Sequence, residues 1–504
     1  MDVATIVDYL VEKEEFVDEE IINKLKPILK LDSRKEIELE LQIFFKKYFP
    51  DFDSSDFFKI FFSHKTDDRA RCSILKSFEK SPSKRTVDDF IRYFVVRFRS
   101  IERFLRARPE LNSLNSISRI TGKKDREIVS LIGMVLEKEK TKNGHYILKM
   151  EDLSGTIKVL VNKDNEELIG IAEDIVLDEV VGIVGTSGGD IVFANKIVYP
   201  DIPLSKELKK SPFDHYAVFL GDIHIGSKEF LDDEFKKMIL WINGKLGTPE
   251  QREVAKKVKY ILLTGDLVEG VGIYPGQEED LIVQNMEGQY NLLAEYLKKI
   301  PPHIKIIIAP GNHDSGRIAE PQLPIEKDYC SAILDLPNVI MVSNPAYVSL
   351  DVADGFSGID VLMYHGYSLI YYSDNVPRIR AAGGQKAVDL IMKFLLKRRH
   401  LAPTHGSTLY VPDVYEDPLV IDPIPDIFVT GHIHRVSSVN YRNVTCLNTS
   451  CWTAITEDQE KRGLEPQPGR LVLVSLKTRD VKVMNFNATK DVKTVAEWKR
   501  LKKK

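Results

Sequence analysis

Disulfide chemistry is the first thing for which this 504-residue sequence leaves little room. Its four cysteines, Cys72, Cys330, Cys446 and Cys451, are scattered and form no Cys-x-x-Cys pair. That argues against a disulfide framework or a structural zinc site, and it fits a reducing cytoplasm. No apolar run approaches the length needed to span a bilayer, so no membrane association is expected. The opening MDVATIVDYLVEKEEF is acidic and amphipathic, where a signal peptide would be basic and then apolar. Charge of one sign is also missing: the formal net charge is −4 and the sequence pI about 6.3. Any DNA-binding surface must therefore be a local patch. What is present, 43% hydrophobic and 29% charged residues, is the composition of an ordinary globular protein. The length calls for two to four domains.

The pattern along the chain changes four times. Residues 1–78 read as a helical unit, with Ile6, Val7, Leu10, Ile21, Ile22, Leu25, Ile28 and Leu29 at helical spacing. Residues 79–124 read as a linker, Lys80-Ser-Pro-Ser-Lys-Arg85, followed by a helix over about Val87 to Arg106. That helix carries Arg92, Arg97, Arg99, Arg103 and Arg106; one core face and one solvated charged face is preferred over a phosphate-tracking surface. Over residues 125–203, β-rich alternation is broken by Asn-Gly, Ser-Gly and Gly-Gly, which predicts a five-stranded barrel of the oligonucleotide-binding (OB) type. Few aromatics line its strands for base stacking. Residues 204–490 alternate apolar strands with helical stretches, the sign of α/β layers, and residues 491–504 read as a basic tail. The fold class expected is multidomain α/β.

Five short clusters follow five apolar strands in that last region: Gly221-Asp222-Ile223-His224, Gly265-Asp266, Gly311-Asn312-His313-Asp314, Tyr364-His365-Gly366 and Gly431-His432-Ile433-His434. Open α/β sheets place active sites at the carboxyl ends of their strands, and glycine lets the chain turn there. Any one cluster means little. All five in order point to a metal centre built from Asp222, His224, Asp266, Asn312, His365, His432 and His434. If Asp-x-His and His-x-His stay extended, their alternate side chains point the same way. Mixed carboxylate, imidazole and amide donors suit Mn²⁺, Zn²⁺ or Fe²⁺. A carboxylate such as Asp266 can bridge two ions about 3.5–4 Å apart and so promote in-line attack on a phosphoryl group. A histidine just beyond the ligands can protonate the leaving oxygen.

At these clusters the sequence resembles the calcineurin-like metallophosphoesterase superfamily. The resemblance implies one metal held by Asp222, His224, Asp266 and His434, and a second by Asp266, Asn312, His365 and His432. It places His313 as the catalytic histidine and Asp314 as the residue that orients it. With a helical unit and an OB-like barrel ahead of it, and with Gly270-Val-Gly-Ile-Tyr-Pro-Gly-Gln277 and Lys397-Arg-Arg-His-Leu-Ala-Pro403, the chain resembles small subunits of archaeal family D DNA polymerase. Eukaryotic relatives of that family generally have degraded ligands, whereas none of the seven is missing here. What this implies is a 3′→5′ proofreading exonuclease using two divalent ions, Mn²⁺ or alternatively Mg²⁺, on DNA 3′ ends. It also implies a heterodimer with a large polymerising subunit.

A double-strand-break repair nuclease, a phosphatase and a purely structural polymerase subunit are the alternatives. Finally, Gln42-Ile-Phe-Phe45-Lys-Lys-Tyr48-Phe49 resembles a sliding-clamp box, although Phe45 sits where a smaller aliphatic is usual. An amphipathic helix packing its aromatics into the N-terminal unit is the preferred reading.

Overall fold

The computed structural model describes residues 3–12, 17–29, 34–50, 70–79, 84–121 and 126–487. The basic tail at 491–504, and residues 80–83 of the expected linker, lie outside them. The chain divides into two compact units, Met1–Arg69 and Ala70–Lys504.

In the first unit, helices Val3–Glu12, Glu19–Ile28 and Arg34–Tyr48 pack through Ile6, Leu10, Leu25, Leu41, Phe44, Phe45 and Phe49. Asp18 caps the second helix by accepting the Ile21 N–H at 2.9 Å, satisfying a donor the helix itself leaves open. The aromatics that a sliding clamp would have to receive are thus buried in this unit's own core, while Gln42 is exposed. The structure supports packing as their role.

The second unit begins earlier than the residue 78 boundary expected from sequence. Strand β1 (Cys72–Lys76) is no part of a helical domain; it pairs antiparallel with the strand Ala346–Leu350. A five-residue strand at a sheet edge, half-buried, carries too little periodicity to announce itself. Five strands then close a barrel: β2 (Ile128–Lys140), β3 (Tyr146–Asp152), β4 (Gly155–Val161), β5 (Val180–Ser187) and β6 (Ile191–Val198), in the order β2-β3-β4-β6-β5. Inward residues such as Leu131, Val135, Leu148, Met150, Val159 and Ile183 fill it.

Two six-stranded sheets follow. The first contains β7 (Tyr216–Leu220), β8 (Val258–Thr264), β9 (Lys305–Ala309) and β10 (Val339–Met341), all parallel. The second contains β11 (Ala346–Leu350), β12 (Ile359–Met363) and β13 (Ile427–Thr430), with β12 and β13 parallel. Period-two alternation explains how they stack. Val218, Leu220, Ile261, Leu263, Ile306 and Ile308 face a layer of helices, whereas Ala217, Phe219, Tyr260, Leu262 and Ile307 face the other sheet. The second sheet answers with Val361, Met363, Ile427 and Val429 toward the first, and with Leu362 and Phe428 toward its own helices. The result is helix–sheet–sheet–helix, with an apolar layer between the sheets. No helix among the described residues is long and apolar enough to cross a membrane.

Buried charges tie the parts of this unit together. On the helix Val87–Arg106, Arg97 is 1% exposed and donates to Asp417 at 2.7 Å and to the Pro403 carbonyl at 2.9 Å. Tyr93 Oη donates to the same carboxylate at 2.7 Å, and His400 Nε2 lies 2.8 Å from it. Arg398 pairs with the barrel's Glu179 and donates to the Asp174 carbonyl at 2.8 Å. Breaking such a pair from one side strands a buried charge. Arg97→Met is therefore expected to cost roughly 3–5 kcal/mol in urea unfolding. Arg106→Met, which removes only the exposed pair with Glu102, should leave the transition nearly unmoved.

Candidate metal centre

The parallel strands β7, β8 and β9 of one sheet, and β12 and β13 of the other, release their chains at one end, where the five clusters meet. Backbone contacts join the two sheets there. The His432 N–H donates to both Asp222 carboxylate oxygens, at 2.9 and 3.0 Å. His365 Nδ1 lies 2.8 Å from the Thr264 carbonyl, and since a carbonyl only accepts, the ring proton sits on Nδ1. His365 Nε2 then points into the cleft, as in imidazoles that bind metals.

The seven sequence-derived donors converge. Asp222, His224 and His434 bring ligand atoms within 4.8 Å of one another, and so do Asp266, His365 and His432. His224 Nε2 faces His434 Nε2 at 3.2 Å, and His434 Nε2 is 3.5 Å from Asp222 Oδ1. Asn312 Oδ1 lies 2.9 Å from His365 Nε2. Asp266 Oδ2 stands between the two groups, 3.9 Å from His224 Nε2 and 3.3 Å from His365 Nε2. Two adjacent pockets sharing one carboxylate are the arrangement that fits a pair of divalent cations.

The route of the chain into this cleft differs from the extended Asp-x-His and His-x-His expected from sequence. Asp222, His224, Asp266, His432 and His434 all have positive φ, between 49° and 68°. Alternate side chains still point together, but through left-handed turns that begin as soon as each strand ends. Left-handed residues other than glycine cost roughly 1–3 kcal/mol each and gather at functional sites. Gly311 serves close approach: a Cβ there would stand 2.3 Å from Asp266 Oδ1.

Burial and charge oppose each other here. Burial disfavours a protonated His365, yet the Asp266 carboxylate outweighs it and pushes the imidazole up to about 9. Asp266 is buried too, and His365 and His313 hold it well below the usual carboxylate range. Burial, together with His365, drops His432 to about 3. The cleft thus attracts positive charge where its donors point, and a cation would replace the proton on His365.

His313 occupies the rim. Its Nδ1 donates to the Glu269 carbonyl at 2.7 Å, which leaves Nε2 open, and its ring lies edge-on to His224 with centroids 4.7 Å apart. Asp314, expected to orient this histidine, bonds to the turn beneath it and not to its ring. Its carboxyl accepts N–H groups of Gly311 (2.8 Å) and Leu267 (3.2 Å) and the Tyr290 hydroxyl (3.1 Å), holding the turn that carries His313. Burial and the charge of Asp266 raise Asp314 to about 7. Three contributors were missed by sequence reasoning. The Glu269 carboxylate lies 3.0 Å from His224 Nδ1, off the line of a hydrogen bond; the Thr264 carbonyl fixes His365; and Gln459 approaches His434 Nδ1 at 3.3 Å. Only Glu269 left a trace, as a carboxylate three residues beyond Asp266 in an otherwise apolar stretch.

A family model for the B subunit of DNA polymerase alpha/epsilon matches residues 217–438, a span that holds all five clusters. The DNA polymerase II small subunit of Methanothermobacter thermautotrophicus is 39% identical over 389 residues, covering 77% of this chain and 78% of that one. The chain belongs to the archaeal DNA polymerase II (family D) small-subunit family. The Archaeoglobus fulgidus member is 39% identical over 409 residues, covering 80% and 79% of the two chains. The Pyrococcus furiosus member is 37% identical over 405 residues, covering 80% of this chain and 64% of that one.

Behind the cleft of this family member, Glu320 is 1% exposed beside the Tyr364 hydroxyl, 3.3 Å away, and burial pushes it up to about 8. An unfolded glutamate titrates near 4.3, so between those values the native state holds a proton that the unfolded chain has lost. The contribution of Glu320 to stability should therefore fall as pH rises from about 4 to 8, by up to ~1.4 kcal/mol per pH unit. Glu320→Gln should flatten that slope in urea unfolding compared at pH 5 and pH 8.

Proposed function

We propose that this small subunit is a metal-dependent 3′→5′ exonuclease that edits DNA ends beside a separate, polymerising large subunit. The observation that carries the reading is the donor set, one group at Asp222, His224 and His434 and another at Asp266, His365 and His432, with Asp266 Oδ2 also 3.9 Å from His224 Nε2. Asp222, His224 and His434 would hold one cation, Asn312, His365 and His432 the other, with Asp266 between them. The cations, Mn²⁺ or Mg²⁺, would supply Lewis-acid stabilisation of charge on the phosphoryl oxygens.

The chain's own groups account for the rest. Hydrolysis leaves an oxygen that needs a proton, and His313, with Nδ1 tied to the Glu269 carbonyl, can as an imidazolium give the proton on its open Nε2 and revert to the neutral ring. The Glu269 carbonyl fixes its tautomer, and Asp314 fixes the turn beneath it. The barrel, read as an OB-type module, together with the outer surface of the α/β layers, would meet the large subunit and the DNA. The family to which the chain belongs supports that partner, since its relatives are named small subunits.

The test is a nuclease assay on the full chain with Mn²⁺, using oligonucleotides labelled at either end, with and without the large subunit. Stepwise loss of 3′ nucleotides is expected, falling more than ~100-fold in Asp222→Ala and His434→Ala. His313→Ala should lose roughly 10²–10⁴-fold. No metal-dependent product, or full activity in Asp222→Ala, would reduce this chain to a structural component of its polymerase.

A further inference from the structure

The loop Gly270-Val-Gly-Ile-Tyr-Pro-Gly276 begins one residue after Glu269, and the donor set does not use it. Two glutamines with no exposed surface anchor its base. Gln289 accepts the Gly270 N–H at 2.9 Å and donates to the Gly270 carbonyl at 3.1 Å. Gln277 accepts the Ile273 N–H at 2.9 Å and donates at 3.0 Å to the Glu269 carbonyl, the same oxygen that fixes His313. Gly270 itself has φ +82°, and a Cβ there would stand 2.6 Å from the His313 carbonyl oxygen and 2.9 Å from Ile273 Cγ1. Ile273 therefore packs against Gly270, on the side where the His313 carbonyl also approaches.

This loop, rigidly held, shows apolar side chains to solvent. Val271 is 45% exposed, Ile273 and Tyr274 are each 39% exposed, and Ile282, whose N–H donates to Gly226 just past His224, is 59% exposed. The Tyr274 hydroxyl donates to Asp280 at 2.9 Å, which fixes the ring. Stability alone asks for neither buried amides bracing a loop nor a cluster of exposed apolar groups beside a polar cleft. Just beyond, Glu278, Glu279 and Asp280 are exposed and acidic, hostile to a phosphate backbone.

We propose that this loop is a stacking platform for the base of an unpaired terminal nucleotide whose phosphodiester lies in the metal centre. The inference rests on the nuclease reading and deepens it by naming the substrate. An exposed apolar cluster with one aromatic ring accepts any base face without reading its edge. The acidic turn disfavours the second backbone that a paired end would bring, so frayed or single-stranded ends are selected. A protein segment is the competing occupant.

Tyr274→Ala combined with Ile273→Ser leaves the buried glutamine anchors intact, and Tyr274→Phe keeps the ring. Cleavage of single-stranded and paired 3′ ends is compared within each variant, normalised to its own rate on a small chromogenic phosphodiester. The double variant should lose about tenfold in its single-stranded preference, and Tyr274→Phe should keep it. An unchanged preference in the double variant overturns the platform. A second readout uses an oligonucleotide with a 3′-terminal 2-aminopurine and an uncleavable methylphosphonate at the last linkage. Quenching by the wild type that is lost in the double variant supports the platform even if no bond is ever cut, which would overturn the nuclease reading alone. Equal quenching in both proteins, with large-subunit association lost in the variant, would make the loop a protein contact and overturn the proposal.

Discussion

Asp266 is the residue on which the centre depends. Its carbonyl accepts the N–H groups of Ile223 and His224 at 2.7 and 3.1 Å, which pins the first cluster. Its Oδ1 accepts the His313 N–H at 2.8 Å, and its Oδ2 faces His365 and His224. One residue, 2% exposed, thus touches three of the other four clusters and carries the negative charge around which the imidazoles gather. Without a positive partner a carboxylate this deep would be costly, and beside it the His365 imidazole is pushed up to about 9.

The frame around it is built so that loops from two sheets can end at the same place. Alternating strand residues glue the sheets face to face, and the helices cover the outer faces. The segment Lys397-Arg-Arg-His-Leu-Ala-Pro403, which carries part of the family resemblance, also joins the parts of the second unit. Arg398 grips the barrel through Glu179, while His400 shares Asp417 with Arg97. Buried pairs of this kind are a weak source of net stability but tolerate few alternative geometries. They hold the barrel and the helix Val87–Arg106 in one position against the α/β layers.

Much of this was legible in the residues. Apolar runs ending in Gly-Asp, Gly-Asn-His or Gly-His-x-His marked both the strands and their converging ends, so the seven side chains that the fold brings together could be named without coordinates. Three kinds of feature were not. The strand Cys72–Lys76 finds its partner some 270 positions away at Ala346–Leu350, and nothing local encodes that pairing. The left-handed turns at Asp222, His224, Asp266, His432 and His434 are imposed by convergence, against the preference of those residue types. The groups that aim the histidines act largely through backbone carbonyls, at Thr264 and Glu269, and a carbonyl leaves no mark in a sequence. Asp314 illustrates the same limit: its position beside His313 was plain, but its hydrogen bonds run to backbone donors and Tyr290.

The central claim is that two cations sit either side of Asp266. Anomalous diffraction at the manganese edge, from crystals of the full chain grown with Mn²⁺, tests it directly. The account predicts two peaks roughly 3.5–4 Å apart, one beside His224 and His434 and one beside His365 and His432. No peak in this cleft, or a single peak that leaves either pair of histidines without a metal, would contradict it.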